Sequence, residues 1–248
     1  AWIRGGDYYF MKDSGWKRWM IRQVLTDTRV LVQAPEIGDD VRRDFPDVNH
    51  DLAVLGNGVE IPENTANGTG VLFLGRLAPM KGVSVLIEAM ADVDASLTIV
   101  GDGPERERLE SLAEELGTDA TFVGQVPPEV VGKYYRNASV FCLPSTGSEG
   151  LPNAVLEAMS YGLPCVTTDS GGLPSLVGDG ERGFVVPKDD PSLLGDRLTH
   201  LLNDPDRRAE LGNNAREYVI RNNSWDAIIE ALEHQYVSVR GNSESETN

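Results

Sequence analysis

From residue 71 onward, short apolar runs alternate with longer amphipathic stretches. The run "VLFLGRL" at 71–77 precedes "KGVSVLIEAM", whose apolar positions recur with helical spacing. "LTIVG" (97–101) leads into "PERERLESLAEELG", a charged amphipathic segment that closes at Gly117. "TFVG" (121–124) leads into "PEVVGKYYRN", "VFCLP" (140–144) into "SEGLPNAVLEAMSYG", and "PCVTT" (164–168) into "GGLPSLVG". "GFVVP" (183–187) is a last short run, followed by helical patterns near 190–203 and 205–221. Continuous apolar runs, as opposed to alternating ones, mark strands buried on both faces. Repeated strand–helix units of this kind predict an α/β fold, a parallel sheet with helices on both sides, Rossmann-like in organisation.

Residues before 61 read differently. "TRVLVQA" and "LAVLGNG" have strand character, with helical patterns near 15–26 and 36–44. That is too little for a domain and about right for the last units of one. "IPENTANGTG" (61–70) is polar and turn-rich, a linker signal. The resulting division is 1–63 as the end of an incomplete N-terminal unit with the linker start, and 64–222 as the main domain. An amphipathic helix follows at 223–240, then a polar, disordered tail at 241–248. The chain opens on Ala, as though mid-protein. Its start, "AWIRGGDYYF", lacks the basic and long apolar regions of a signal peptide.

Charge narrows the partners. The formal net charge is −17, with 39 acidic residues against 22 basic ones, only five of them lysine. Phosphate-backbone binding needs clustered Lys and Arg, so nucleic acid is excluded as a partner, and anionic lipid gains little. Membrane contact is expected to be peripheral at most, and the location cytoplasmic, up to the inner face of a membrane. Two readings of the acidity stand: an ordinary acidic protein, or one from a high-salt, halophilic cytoplasm where carboxylate repulsion is screened. Cys142 and Cys165 lie in runs that read as buried strands, as inert thiols, and His50, His200 and His234 show no ligand spacing. No metal site is expected.

In parallel α/β sheets, ligands bind beyond the carboxyl ends of the strands. Arg76 follows the first run of the main domain, and Lys81 lies five residues on. Two cations at a strand end suit a pyrophosphate, though each residue alone also reads as a solvated surface charge. "GDGPE" (101–105) is a tight turn and not a dinucleotide fingerprint. Pro152 fits the first helical position and Gly162 the residue past the end, so a helix is expected at about 152–161. Leu151, Val155 and Met159 share its inner face, and Asn153 and Glu157 share another. The amides of Gly150, Leu151 and Asn153 can hold phosphate oxygens, Glu149 can stand beside the reacting group, and Glu157 can accept from a vicinal diol such as ribose. The plainer alternative is that Glu149 merely favours the helix dipole and Glu157 is solvated.

The pieces "GRLAPMKG", "VGDGPERERL", "SEGLPNAVLEAMSYGLPCVTTDSGGLPSLV" and "GERGFVVPKDDPSLL" occur in this order over 71–194. They resemble the retaining glycosyltransferases of family 4, group 1 transferases with the two-domain GT-B fold, here N-terminally truncated. The glutamate pair with seven residues between is that family's signature, and "LGNGVEIP" resembles the segment that closes its N-terminal domain. The resemblance implies a Rossmann-like C-terminal donor domain plus a remnant of the N-terminal one, with the last helix crossing back. It implies sugar transfer from a UDP- or GDP-sugar to a glycan, lipid-linked or small acceptor, with retention, without a metal and without a cofactor. By resemblance, Gly75, Arg76 and Lys81 bind the donor diphosphate, and Glu149 contacts the sugar and stabilises the oxocarbenium-like transition state. Gly150, Leu151 and Asn153 serve phosphate or sugar, Glu157 the ribose, and the segment around Gln125 and Val126 the base. Arg4 stands where many members carry histidine, and Ser175 where many carry glutamate. Two other readings stay open: a non-catalytic nucleotide-sugar-binding fragment, and a sugar-nucleotide epimerase or phosphorylase.

Overall fold

The computed structural model describes residues 1–3, 8–9, 11–48, 51–147 and 149–245, with backbone only for Asp27 and for 239–245. Arg4, His50 and residues 246–248 lie outside the described residues. The main sheet has six parallel strands: β4 (Val71–Leu74), β5 (Leu97–Val100), β6 (Ala120–Gly124), β7 (Val140–Leu143), β8 (Cys165–Thr168) and β9 (Gly183–Val186). Each coincides with an apolar run of the sequence. Their spatial order is β6-β5-β4-β7-β8-β9. Renumbered from β4, this is the 3-2-1-4-5-6 order of doubly wound dinucleotide-binding sheets. The strand order reverses between the parallel neighbours β4 and β7, the point at which a crevice opens beyond the carboxyl ends of such sheets.

Helices α3 (Val83–Met90), α4 (Arg106–Leu116), α5 (Pro128–Arg136), α6 (Asn153–Ser160), α7 (Leu173–Val177), α8 (Pro191–Asn203) and α9 (Pro205–Asn223) belong to this unit. One continuous core joins them to the sheet and includes Phe73, Leu86, Ile87, Ile99, Phe141, Val155 and Met159, all at most 1% exposed. Full burial of such side chains contributes roughly 1.5–3 kcal/mol each. Cys142 and Cys165 sit in this core as free thiols, and burial pushes both thiols up from their ordinary values.

A second, three-stranded parallel sheet comprises β1 (Trp2–Ile3), β2 (Val30–Val32) and β3 (Leu52–Val54), in that order. Helices α1 (Gly15–Asp27) and α2 (Pro35–Asp44) accompany it around a separate core of Leu25, Val30, Val32, Ile37, Val41 and Phe45. The polar segment after Pro62 does not hang free. Its backbone is strapped to the main unit, with Ala66 N–H donating to the Tyr161 carbonyl (2.8 Å) and Asn67 N–H to that of Arg136 (3.1 Å). The last helix, α10 (Trp225–Ser245), reaches back to the small sheet, where Arg29 donates to Gln235 Oε1 at 3.3 Å and to Ser238 Oγ.

Two local expectations need correction. Pro152 is the N-cap of α6, not its first helical residue, because its ψ of 121° is extended. Lys81 lies in a 3-10 turn (Pro79–Lys81) that precedes α3, since Gly82 breaks the helical backbone with a φ of 66°. The helix α10 ends at Ser245.

Candidate active site

Arg76 lies just past the carboxyl end of β4, and residues 144–147 lie just past that of the neighbouring strand β7. The chain stitches these loops together. Thr146 and Gly147 both donate N–H to the Met80 carbonyl, at 2.9 and 3.1 Å. Gly82 makes the approach possible, because a Cβ there would lie 1.9 Å from the Pro144 carbonyl oxygen. The stitching delivers Lys81 to Glu149. Lys81 Nζ donates to Glu149 Oε1 at 2.6 Å, and Ser145 Oγ donates to the same oxygen at 2.5 Å.

Glu149 is 7% exposed, and Ser145 fully buried. A buried carboxylate is tolerable only when paired and hydrogen-bonded, and both conditions are met here. The backbone is held as well. The Glu149 carbonyl accepts from Gly172 N–H at 3.2 Å. Gly171, with φ of 53°, packs so closely that a Cβ would lie 1.8 Å from that same carbonyl. Glu149 is therefore neither a solvated residue nor a mere complement to the α6 dipole.

Glu157 lies on α6, half-buried, four residues past its first residue, Asn153. Tyr135 of α5 donates its hydroxyl to Glu157 Oε2 at 3.0 Å and is itself stacked on Tyr161, with ring centroids 5.3 Å apart. Burial pushes the Glu157 carboxyl above its ordinary range, and the tyrosine hydrogen bond acts in the opposite direction. Oε2 is thus engaged, which leaves Oε1 as the freer acceptor for a ligand.

Two cavities lie near the ends of these strands, and Glu157 lines the second. One, of about 430 Å³, is lined by Gly75, Arg76, Asp102, Gln125 and Val126. The other, of about 660 Å³, is lined by Glu157, Tyr135, Tyr161 and Trp225. Leu74, Val126 and Val131 border both, so the cavities are neighbours. Arg76 is exposed and makes no ion pair among the described residues. The structure thus gathers Gly75, Arg76, Gln125 and Val126 around one cavity, Lys81 and Glu149 as a pair, and Glu157 at the second cavity.

Leu151 and Asn153 face the small unit. Leu151 N–H points at Gln33 Oε1 over 3.5 Å, and Asn153 Oδ1 accepts from Asn57 Nδ2 at 2.6 Å. Ser175 donates to Glu36 of α2 across the same divide. Sequence reasoning singled out neither Ser145 nor Tyr135. The signal for Ser145 is that it is the first hydroxyl after a fully apolar strand, four residues before Glu149. Tyr135 is a polar-tipped aromatic on the inner face of α5. Among the described residues, no group of three or more His, Cys, Asp or Glu is placed to hold a metal ion. No helix among them is long and apolar enough to cross a membrane.

Residues 61–218 match the sequence profile of the glycosyl transferases group 1. The chain is 26% identical over 238 residues to an uncharacterized glycosyltransferase of Methanocaldococcus jannaschii, covering 94% of this chain and 66% of that protein. It is 37% identical over 179 residues to a D-inositol 3-phosphate glycosyltransferase of Corynebacterium efficiens, covering 67% of this chain and 42% of that protein. Among solved structures, a sucrose-phosphate synthase from Thermosynechococcus elongatus superposes with a TM-score of 0.81 at 26% identity, covering 96% of this chain and 66% of that one. The chain therefore spans less than two thirds of the length of these curated relatives.

Proposed function

The chain belongs to the group 1 glycosyl transferases, and on that premise we propose that it carries the donor half of a retaining, family 4 hexosyltransferase. The donor is a UDP- or GDP-sugar, and the acceptor a hydroxyl on a glycan, a lipid-linked sugar or a small polyol. The observation that carries this reading is the Lys81–Glu149–Ser145 cluster past the ends of β4 and β7, the strands at which the order reverses, together with Arg76, which lines a cavity at the end of β4 and makes no ion pair among the described residues.

In this reading Arg76 and Lys81 take the diphosphate. Lys81 has three N–H donors, so it can keep Glu149 and still reach a phosphate oxygen. As the bond from sugar to phosphate breaks, both cations stabilise the charge that develops on the leaving phosphate, which needs no metal. Glu149, held in place on three sides, aligns sugar hydroxyls and offers negative charge to the oxocarbenium-like carbon. Glu157 accepts from the ribose, and Gln125 and Val126 wall the base. The acidic composition suits a high-salt cytoplasm, with any membrane contact confined to the surface. The Lys81–Glu149 pairing favours transfer over a phosphorylase reading, which would call for a cofactor lysine.

Thermal-shift titration with UDP, GDP and ADP, in molar salt, tests the reading. A ligand that binds the native state raises its melting temperature. One nucleotide should raise it in the parent chain and leave Lys81→Ala unmoved. Equal shifts in both proteins would place the diphosphate elsewhere.

A further inference from the structure

The segment 55–59 joins the small sheet to the main unit, and its Asn57 does more than connect. The side-chain NH₂ of Asn57 has two hydrogens, and both are used. One goes to the Leu151 carbonyl at 3.2 Å, the other to Asn153 Oδ1 at 2.6 Å. These acceptors flank Pro152, the N-cap of α6, within four residues of Glu149. Asn57 is itself fixed from behind. Its carbonyl accepts from Asn223 Nδ2 at 2.9 Å, and Asn223, only 4% exposed, returns its own carbonyl to Val59 N–H at 2.8 Å. A side chain at position 56 would displace this arrangement, since a Cβ on Gly56 would lie 2.8 Å from Asn223 Nδ2.

We propose that Asn57 is a positioning residue for the donor loop: it sets the 149–153 segment through Leu151 and Asn153. It touches no substrate. The consequence is selective. A carbonyl and a side-chain oxygen held by one planar amide fix both the path of the loop and the rotamer of Asn153. With Oδ1 committed to Asn57, the Asn153 NH₂ is left without a partner among the described residues and can turn to ligand. The loop carries Glu149, which addresses sugar, and precedes the first amides of α6. Asn57 lines neither cavity and makes no hydrogen bond to Glu157; its neighbours Gly58, Val59 and Glu60 border the Glu157 cavity, but its own side chain is directed to Leu151 and Asn153. Binding of the sugar-diphosphate portion therefore depends on Asn57, and binding of the nucleoside portion does not. This inference rests on the donor reading above.

The test compares two ligand lengths on the same chain by calorimetric titration. UDP-glucose and GDP-mannose probe the whole site, and UMP and GMP probe the nucleoside portion. Asn57→Asp keeps the shape and the backbone carbonyl but loses both donors. Asn57→Ala removes the side chain. Both variants should bind the nucleotide sugar at least tenfold more weakly, while the monophosphate stays within about twofold of the parent. Undiminished nucleotide-sugar binding by Asn57→Asp would overturn the proposal. So would parallel loss of both ligands in both variants, which would mark Asn57 as a residue of the fold alone. A parent chain that binds neither ligand would instead overturn the donor reading, and the inference with it.

Discussion

Replacing Lys81 with methionine isolates the ion pair at the centre of the site, because methionine keeps most of the alkyl stem and removes only the charge. At 2.6 Å and an effective dielectric constant of about 20, the Coulomb attraction of Lys81 and Glu149 is roughly 6 kcal/mol before desolvation. Net values are smaller. Removing one partner of a fully buried pair costs roughly 3–5 kcal/mol, mostly because the other charge is stranded. The Glu149 side chain is 9% exposed, but that of Lys81 is 21% exposed, so solvent screens part of the effect. The expected cost of Lys81→Met is about 2 kcal/mol. Glu149→Gln should cost less, about 1 kcal/mol, because the amide oxygen still accepts from Lys81 and Ser145. In the double variant no charge is stranded, so the two costs should fall short of adding, with a coupling of about 1–2 kcal/mol. Urea unfolding followed by tryptophan fluorescence at 0.1 and 1 M NaCl measures all four corners. The coupling should survive the salt, since buried pairs are screened little. A Lys81→Met protein within about 0.5 kcal/mol of the parent, or a coupling abolished by salt, would refute the pairing.

Three further outcomes are expected. The Glu157 carboxyl titrates above its ordinary value of 4.5 in the folded chain, because burial disfavours its charge. The native state therefore holds that proton more tightly than the unfolded state. The stabilisation is full below the unfolded value and is lost as pH rises through the folded one. Relative to Glu157→Gln, the parent should lose stability from about pH 4 toward neutrality, in chemical denaturation read at stepped pH; a pH-independent difference would contradict this. Gly171→Ala forces a Cβ into the Glu149 carbonyl at a positive φ. It should lower stability by about 2 kcal/mol or more and abolish the nucleotide-induced thermal shift, and a variant that melts and binds like the parent would show that the loop is not packed this way. Cys142 and Cys165 should resist iodoacetamide in the native state and react once urea unfolds the chain, as mass spectrometry would show, because burial raises both thiols. Labelling without denaturant would place one of them at the surface.

The strands of the main sheet were legible because each is a compact apolar run bounded by Gly, Pro or charge, and burial on both faces leaves that imprint. The placement of Arg76 and Glu149 at strand ends followed from the same pattern. The contact between Lys81 and Glu149 did not, for it spans 68 positions and depends on β4 and β7 being neighbours although β5 and β6 come between them in the chain. Local spacing carries no trace of such a pairing. Ser145 and Tyr135 escaped notice for a related reason: each acts as a donor to a carboxylate, and a hydroxyl beside a buried strand has many innocuous uses. The linker was legible as polar and turn-rich, but its backbone hydrogen bonds to the ends of α5 and α6 were not, since backbone groups look alike in any sequence.

The central claim is that one nucleoside diphosphate lies across the crevice, its phosphates on Lys81 and Arg76 and its ribose on Glu157. A crystal structure of this chain soaked with UDP or GDP measures that directly. The account requires phosphate oxygens within hydrogen-bonding distance of Lys81 Nζ and the Arg76 guanidinium, with a ribose hydroxyl on Glu157. Density for the nucleotide in a separate cavity, of about 340 Å³ and lined by Gln33, Glu36, Leu151, Ser175 and Arg221, with the Lys81–Glu149 pair untouched, would contradict it.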